Sequence, residues 1–182
     1  MLPSTSYPEL NPALLTGNSE VDAEHRLLLR FLERLRNVCA NFDKADDCEA
    51  CSRACLRGCD TVLIETLGDL LMFLVDHFRT EEDLMRTERV NLVDREICEL
   101  HKEDHAAISH AVQKIAADLD PMKTATHIRQ LHKLLENWVT NHIRLHDVLL
   151  IQMIGMIASH PQGVPLHAMH YMGAHPVLSA PS

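Results

Sequence analysis

Four stretches of the chain repeat apolar residues at the three- and four-residue spacing of a helix with one buried face. In the first, VDAEHRLLLRFLERLRNVCANF, the apolar positions are Val21, Leu28, Phe31, Leu32, Leu35 and Val38. Ser19 followed by Asp22 predicts its start, because a hydroxyl can accept a backbone N–H there and an acidic first turn suits the helix dipole. A second helix is predicted over about 60–88, turning Leu63, Leu67, Leu70, Leu71, Leu74 and Phe78 inward. Residues 89–93 read as a turn, and a third helix over about 94–119 stops before Asp120-Pro121. Pro121 suits the first turn of a fourth helix with Asp120 as its cap. That helix runs to about residue 157 through Leu131, Leu135, Trp138, Leu145, Leu149 and Met153.

Three segments break the periodicity. Residues 1–18 form an aperiodic arm with Pro and Ser, and residues 158–182 form a tail or linker. Between the first two helices, DKADDCEACSRACLRGC at 43–59 carries four of the six cysteines. Four long helices with short connections predict an all-α fold, an antiparallel up-down-up-down four-helix bundle over 19–157 with a Cys-rich insert between helices 1 and 2. There is no repeat and no coiled-coil heptad.

The 182 residues suffice for one domain with a proper core, and 4% aromatic content suits a Leu-rich helical protein better than a β-sandwich. With 26 acidic against 17 basic residues, the net charge of -9 argues against nucleic acid or an anionic membrane as the partner. The N-terminus MLPSTSYPELNPALLTG has neither a basic region nor a long apolar run, so no secretory signal is expected. No apolar run reaches the length of about 18 residues that a membrane span needs. The expectation is a cytoplasmic protein whose cysteines are mainly reduced.

The chemistry concentrates in seven residues: His25, His77, Glu81, His101, His105, His142 and Asp147. Residues four apart on a helix share a face, so His77 with Glu81, and His101 with His105, each converge on one point. His142 and Asp147 are five apart, about 140° around an α-helix, so two adjacent ions suit them better than one. His25 adds a lone imidazole from the first helix. Imidazole suits iron, zinc or copper, and a carboxylate can bridge two cations. Two further pairs have similar form. His132 and Glu136 repeat the second-helix spacing, and His146 stands four residues from His142, where it could compete with Asp147.

These stretches, VDAEHRLL around His25, HFRTEEDLM from His77, HKEDHAAI from His101 and WVTNHIRLHD ending at Asp147, resemble the hemerythrin family of non-haem di-iron oxygen-binding bundles, over about residues 18–155. The resemblance implies two Fe ions joined by an oxo or hydroxo bridge and by Glu81 and Asp147. One iron would be held by His101, His105 and His142, and the other by His25 and His77, with an open position for O2. The chain departs from compact members in the 19 residues between Glu81 and His101, which put Glu96 where a simpler alignment expects a histidine. His101 is preferred because HKEDH supplies the paired spacing. Phe78 and Trp138 are candidate walls of the pocket.

The cysteines are a second departure. Cys48-x2-Cys51-x3-Cys55-x3-Cys59, with Cys39 just before, could bind zinc or an iron–sulfur cluster, form redox-responsive thiols, or simply pack. Cys98, one turn from His101, reads as a small buried residue. The tail histidines His160, His167, His170 and His175 lack bundle spacing.

An imidazole-dominated ligand set should stabilise ferrous iron and favour reversible binding. The functional expectation is therefore an oxygen- or redox-sensing module that binds O2 or a related diatomic, coupled to a signalling partner or output domain. An oxygen carrier or store, and an enzyme acting on peroxide or nitric oxide, are the alternatives. No catalytic residue can be named for the enzyme.

Overall fold

A computed structural model of the chain describes residues 10–39, 42, 48 and 51–160. The tail histidines His167, His170 and His175, the first nine residues and most of 43–50 lie outside the described residues. Among those described there is helix and no strand.

Helix α1 spans Ser19–Val38, and its cap is Asn18, whose side chain accepts from the N–H groups of Glu20 and Val21. Ser19, the expected cap, is the first helical residue. Gly17 takes φ 88°, a left-handed turn that favours glycine, and brings the chain into the helix. Asp22 fixes this entry by accepting from the backbone N–H and hydroxyl of Thr16, each at 2.8 Å.

Helix α2 spans Arg53–Thr87 and so begins well before residue 60, where apolar periodicity placed its start. Ser52 caps it, its hydroxyl accepting from the Cys55 N–H at 3.2 Å. The first two turns have no inward apolar stripe, which is why periodicity missed them. Cys55 and Cys59 are therefore helical, and the segment expected to be an insert is partly the start of α2. Arg89, at φ 62°, ends this helix in the left-handed region. A single turn, α3 (Val90–Val93), occupies the expected loose segment.

Helix α4 spans Arg95–Ala117, with Asp94 accepting from the Ile97 N–H at 3.1 Å. Asp120 caps a 3-10 turn, Pro121–Lys123, that leads into α5 (Thr124–His142). A π turn over Ile143–Asp147 joins α5 to α6 (Val148–Ser159), so the fourth rod is continuous from Thr124 to Ser159.

The π turn adds a residue to the helical repeat, and the buried stripe shifts with it. An α-helical reading carries the stripe from Trp138 to Leu145 and Leu149, but both are only half-buried. Ile143, Asp147 and Leu150 hold the inward positions instead.

Helix α1 packs against α2 and α5, and α4 packs against the same two. The core is in two parts. The larger gathers Leu28, Leu35, Leu63, Leu70, Leu131 and Leu135 with their neighbours, and each such side chain contributes about 1.5–3 kcal/mol on burial. The smaller consists of Met85, Val90, Ile97, Cys98, Leu150 and Met153. Along α2, Glu81 falls between the two clusters, one turn past His77; along α4, His101 and His105 do so; along the fourth rod, Asp147 does so. A polar layer thus separates two apolar ones. No helix among the described residues is long and apolar enough to cross a membrane.

Candidate metal centre

The seven residues singled out by spacing come together in this layer. His25, His77, Glu81, His101, His105, His142 and Asp147 are each at most 3% exposed. Their donor atoms form two sets, within each of which one atom per residue lies within 4.8 Å of the others: Glu81, His101, His105 and His142 in one, and His25, His77, Glu81 and Asp147 in the other.

The two carboxylates link the sets. Glu81 Oε2 lies 3.0 Å from His105 Nε2, 3.2 Å from His101 Nε2 and 3.9 Å from His77 Nε2. Asp147 reaches across with both oxygens, Oδ2 at 3.0 Å from His25 Nε2 and Oδ1 at 3.0 Å from His142 Nε2 and 3.2 Å from His101 Nε2.

The contact between His142 and Asp147 corrects the expectation drawn from α-helical geometry. In the π turn the Val148 N–H bonds to the Ile143 carbonyl, so five residues close one turn. His142 and Asp147 consequently share a face instead of standing about 140° apart.

Each outer ring nitrogen of three histidines meets a carboxylate that spacing did not identify. His77 Nδ1 is 2.9 Å from Glu24, which also accepts from the Thr80 hydroxyl at 2.9 Å. His142 Nδ1 is 2.6 Å from Asp104, which also accepts from the Trp138 indole N–H at 2.7 Å. His105 Nδ1 is 3.5 Å from Glu82. Such partners hold Nδ1 as the donor and turn the Nε2 lone pair inward, as ligating imidazoles require. A signal was present in the sequence: Glu24, Glu82 and Asp104 each adjoin a ligand candidate.

Aromatic faces complete the packing. Phe78 stacks on His105 with ring centroids 3.9 Å apart, and Trp138 stacks on His142 at 4.4 Å. Phe73, absent from the sequence expectations, stacks on His77 at 5.6 Å.

Charge in this layer is strongly coupled. Burial alone would raise the Glu81 carboxyl, but His77 beside it and hydrogen bonds from His101, His105 and His142 hold it well below the usual carboxylate range. Burial and Glu81 push Asp147 up, while the close approach of His101, His142 and His25 prevails and holds it low. Burial disfavours a charged His142, yet Asp104, Asp147 and Glu81 together raise it to about 11. His77 and His101 are raised likewise, against burial, by neighbouring carboxylates. His105 is lowered, chiefly by burial.

These residues fit a pair of cations. Burying polar groups without partners is unfavourable. Yet His25 Nε2, His77 Nε2, Glu81 Oε1 and both oxygens of Asp147 are buried without a well-formed hydrogen bond. His142 Nε2 also faces His101 Nε2 at 3.2 Å and His105 Nε2 at 3.3 Å. Neutral rings so placed aim lone pairs at one another, and a shared cation between them resolves the conflict.

The competing candidates fall elsewhere. Glu96 is exposed in the first turn of α4. His132 and Glu136 approach to 3.9 Å as a surface pair, with Glu136 63% exposed. His146 groups with Asp104 and His142 at the edge of the layer, and burial together with His101 and His142 lowers its pKa to about 4. His160 is exposed at the end of α6.

All six cysteines are free thiols. Cys98 packs in the smaller core, and Cys48 is buried with its sulfur accepting from the Ala125 N–H at 3.4 Å. Cys39 closes α1, and the Cys59 thiol donates to the Val38 carbonyl at 3.3 Å.

Histidines and carboxylates gathered between two apolar layers of a helical fold define a cation-binding type of site. The family model described as Hemerythrin HHE cation binding domain matches residues 16–154. The chain belongs to this family of cation-binding proteins. No curated protein and no solved structure matches the chain.

Proposed function

We propose that the protein holds two iron ions on an up-down-up-down four-helix bundle and binds O2 reversibly as an oxygen- or redox-sensing module. In this reading His101, His105 and His142 would hold one iron, His25 and His77 would hold the other, and Glu81 and Asp147 would serve both. The observation that carries it is the convergence of five imidazoles on two buried carboxylates that touch both ligand sets. The iron pair would supply the electrons for O2 binding. The chain's own residues do the rest. Glu24, Glu82 and Asp104 orient the rings, Phe73, Phe78 and Trp138 exclude water, and the apolar layers on either side keep the centre dry.

The sensing role is supported by the position of Asp147. It closes the π turn that feeds α6, and the Pro12–Leu14 turn lies against the same segment. Because π turns are short, less regular pieces of helix, a change in the pull on Asp147 has a path to α6.

Metal content and an optical spectrum, taken anaerobically and then in air, test the reading. Two irons per chain and an oxygen-dependent charge-transfer band that reverses on deoxygenation are expected. Absence of iron from protein produced with ample supply defeats the proposal. Hydrogen exchange of α6 separates the two binding roles: oxygen-dependent protection supports a sensor, and unchanged protection leaves an oxygen carrier.

A further inference from the structure

Five of the six cysteines lie within residues 39–59, at the α1–α2 end of the molecule. The metal centre does not use them. Cys59 precedes His77 by 18 residues on the same helix, a separation of about 27 Å along its axis.

Their placement sorts them. Cys48 is 4% exposed and accepts from the Ala125 N–H, so packing accounts for it. The other four gather at this end, where the Cys59 thiol lies 3.3 Å from the Val38 carbonyl, one residue before Cys39. Cys55 lies near enough to Cys51 and Cys59 to influence both, Cys39 acts on the same two at longer range, and Cys48 acts on Cys51. Cys55 and Cys59 stand one turn apart on one face of α2, an arrangement that can grip a single ion. Cys51 precedes the Ser52 cap, and Cys39 ends α1 in extended backbone, so neither is fixed by a helical ladder. Exposure is graded in the same sense: Cys55 is open to solvent, and Cys51 and Cys59 are half-buried.

We infer that Cys39, Cys51, Cys55 and Cys59 form a second metal site, a four-thiolate site for a thiophilic divalent cation of the zinc type. Four sulfurs are the number that a closed tetrahedral zinc site takes. The cation displaces one proton from each thiol, and four protons pass to solvent. Without a cation the thiols resist ionisation. Burial and then Cys55 push Cys59 up to about 11, and Cys51 is raised for the same reasons. Among the described residues no three sulfurs lie within 4.8 Å of one another, as the histidine sets do. Closing the site therefore draws Cys39 and Cys51 onto the α2 pair and ties the end of α1 to the start of α2.

Titration of the reduced full-length chain with Co²⁺, followed by Zn²⁺, tests this. Sulfur-to-cobalt charge-transfer absorption reports thiolate ligation alone and is blind to cobalt at the histidine centre. One thiolate-bound cobalt per chain is expected, displaced by zinc. Cys55→Ser and Cys59→Ser should each reduce the band at least several-fold, while Cys48→Ser and Cys98→Ser leave it intact. On the unaltered chain, zinc should protect four thiols from alkylation, a readout that needs no variant. The proposal is overturned by a reduced chain that gives no such band, or by a band indifferent to Cys55→Ser and Cys59→Ser. It is also overturned if zinc protects no thiol and peroxide removes thiols in pairs, the signature of a disulfide-forming group.

Discussion

Asp104 lies 2.6 Å from Nδ1 of His142, at the edge of a layer in which His142 is almost completely buried. The same carboxylate oxygen accepts from the indole of Trp138, whose ring stacks on His142. One side chain thus sets both the tautomer and the tilt of the imidazole. Replacing Asp104 by Asn keeps the shape but loses the charge that makes the ring basic. Asp104→Asn should weaken metal binding by about 10–100-fold, the usual effect of removing such a partner. Competition against a chelator of known affinity measures it, with circular dichroism confirming an unchanged helix content.

Proton competition gives the next expectation. His77, His101 and His142 are all shifted toward the protonated form, the last to about 11, so metal loading must expel protons. Metal affinity should fall as pH is lowered, with proton release measurable by calorimetry in buffers of different ionisation enthalpy. The metal-free chain should follow its own profile. His142 contributes stability that is fully present below its ordinary value of 6.5 and is lost as pH rises toward about 11. Glu81 contributes stability present above its ordinary value of 4.5 and lost as pH falls, because its folded value is depressed. His146, lowered to about 4, adds to the acid loss, since burial holds it neutral below its ordinary 6.5. A chemical-denaturation series across pH should therefore show decline at both extremes. Monotonic stability in either direction would contradict these assignments.

Metal should also stabilise the fold by mass action. With free metal at 100 times its dissociation constant, the unfolding free energy should rise by about 2.7 kcal/mol for one site that the unfolded chain does not bind. The buried atoms of Asp147 and His25 that lack good partners are the structural reason to expect the gain. Thermal melts at stepped metal concentrations, with and without chelator, measure it. A midpoint independent of metal would count against binding at this layer.

The legibility of the fold and site in the sequence followed helical regularity. His77 with Glu81, and His101 with His105, were readable because four-residue spacing has one meaning on an α-helix. Leu63, Leu67, Leu70 and Leu74 were readable for the same reason, and all are buried. His142 with Asp147 was identified but given the wrong geometry, because a π turn leaves no mark in apolar periodicity. Glu24, Glu82 and Asp104 were missed because an acidic residue beside a buried histidine resembles an ordinary solvated position. The first turns of α2 were missed because Leu56 alone in Arg53–Thr61 packs against the core, too little for a periodic stripe, and only the Ser52 cap signals the start.

Arg89 holds φ 62° at the end of α2, where a residue with a side chain is strained. Arg89→Gly should stabilise the protein by about 1 kcal/mol and leave metal content unchanged. Equilibrium denaturation compares the two chains, and a loss of stability would mean that the Arg89 side chain makes compensating contacts.

The π turn offers the sharpest test of how this site is built. Arg144 is exposed and lies within Ile143–Asp147, so deleting it removes little buried surface. What deletion removes is the extra residue of the turn. The segment should then relax to regular α-helix, rotating Asp147 by about 100° relative to His142. Asp147 would leave His25, His101 and His142, and Leu150 and Met153 would leave the smaller core. The deletion variant should retain its helix content but lose the bridged pair, binding at most one metal tightly, and should melt at lower temperature. Restoring any residue at position 144, Ala included, should restore both properties, because the turn depends on residue count and not on the arginine side chain. A deletion variant that still binds two metals would show that the π turn is not what brings Asp147 to His142.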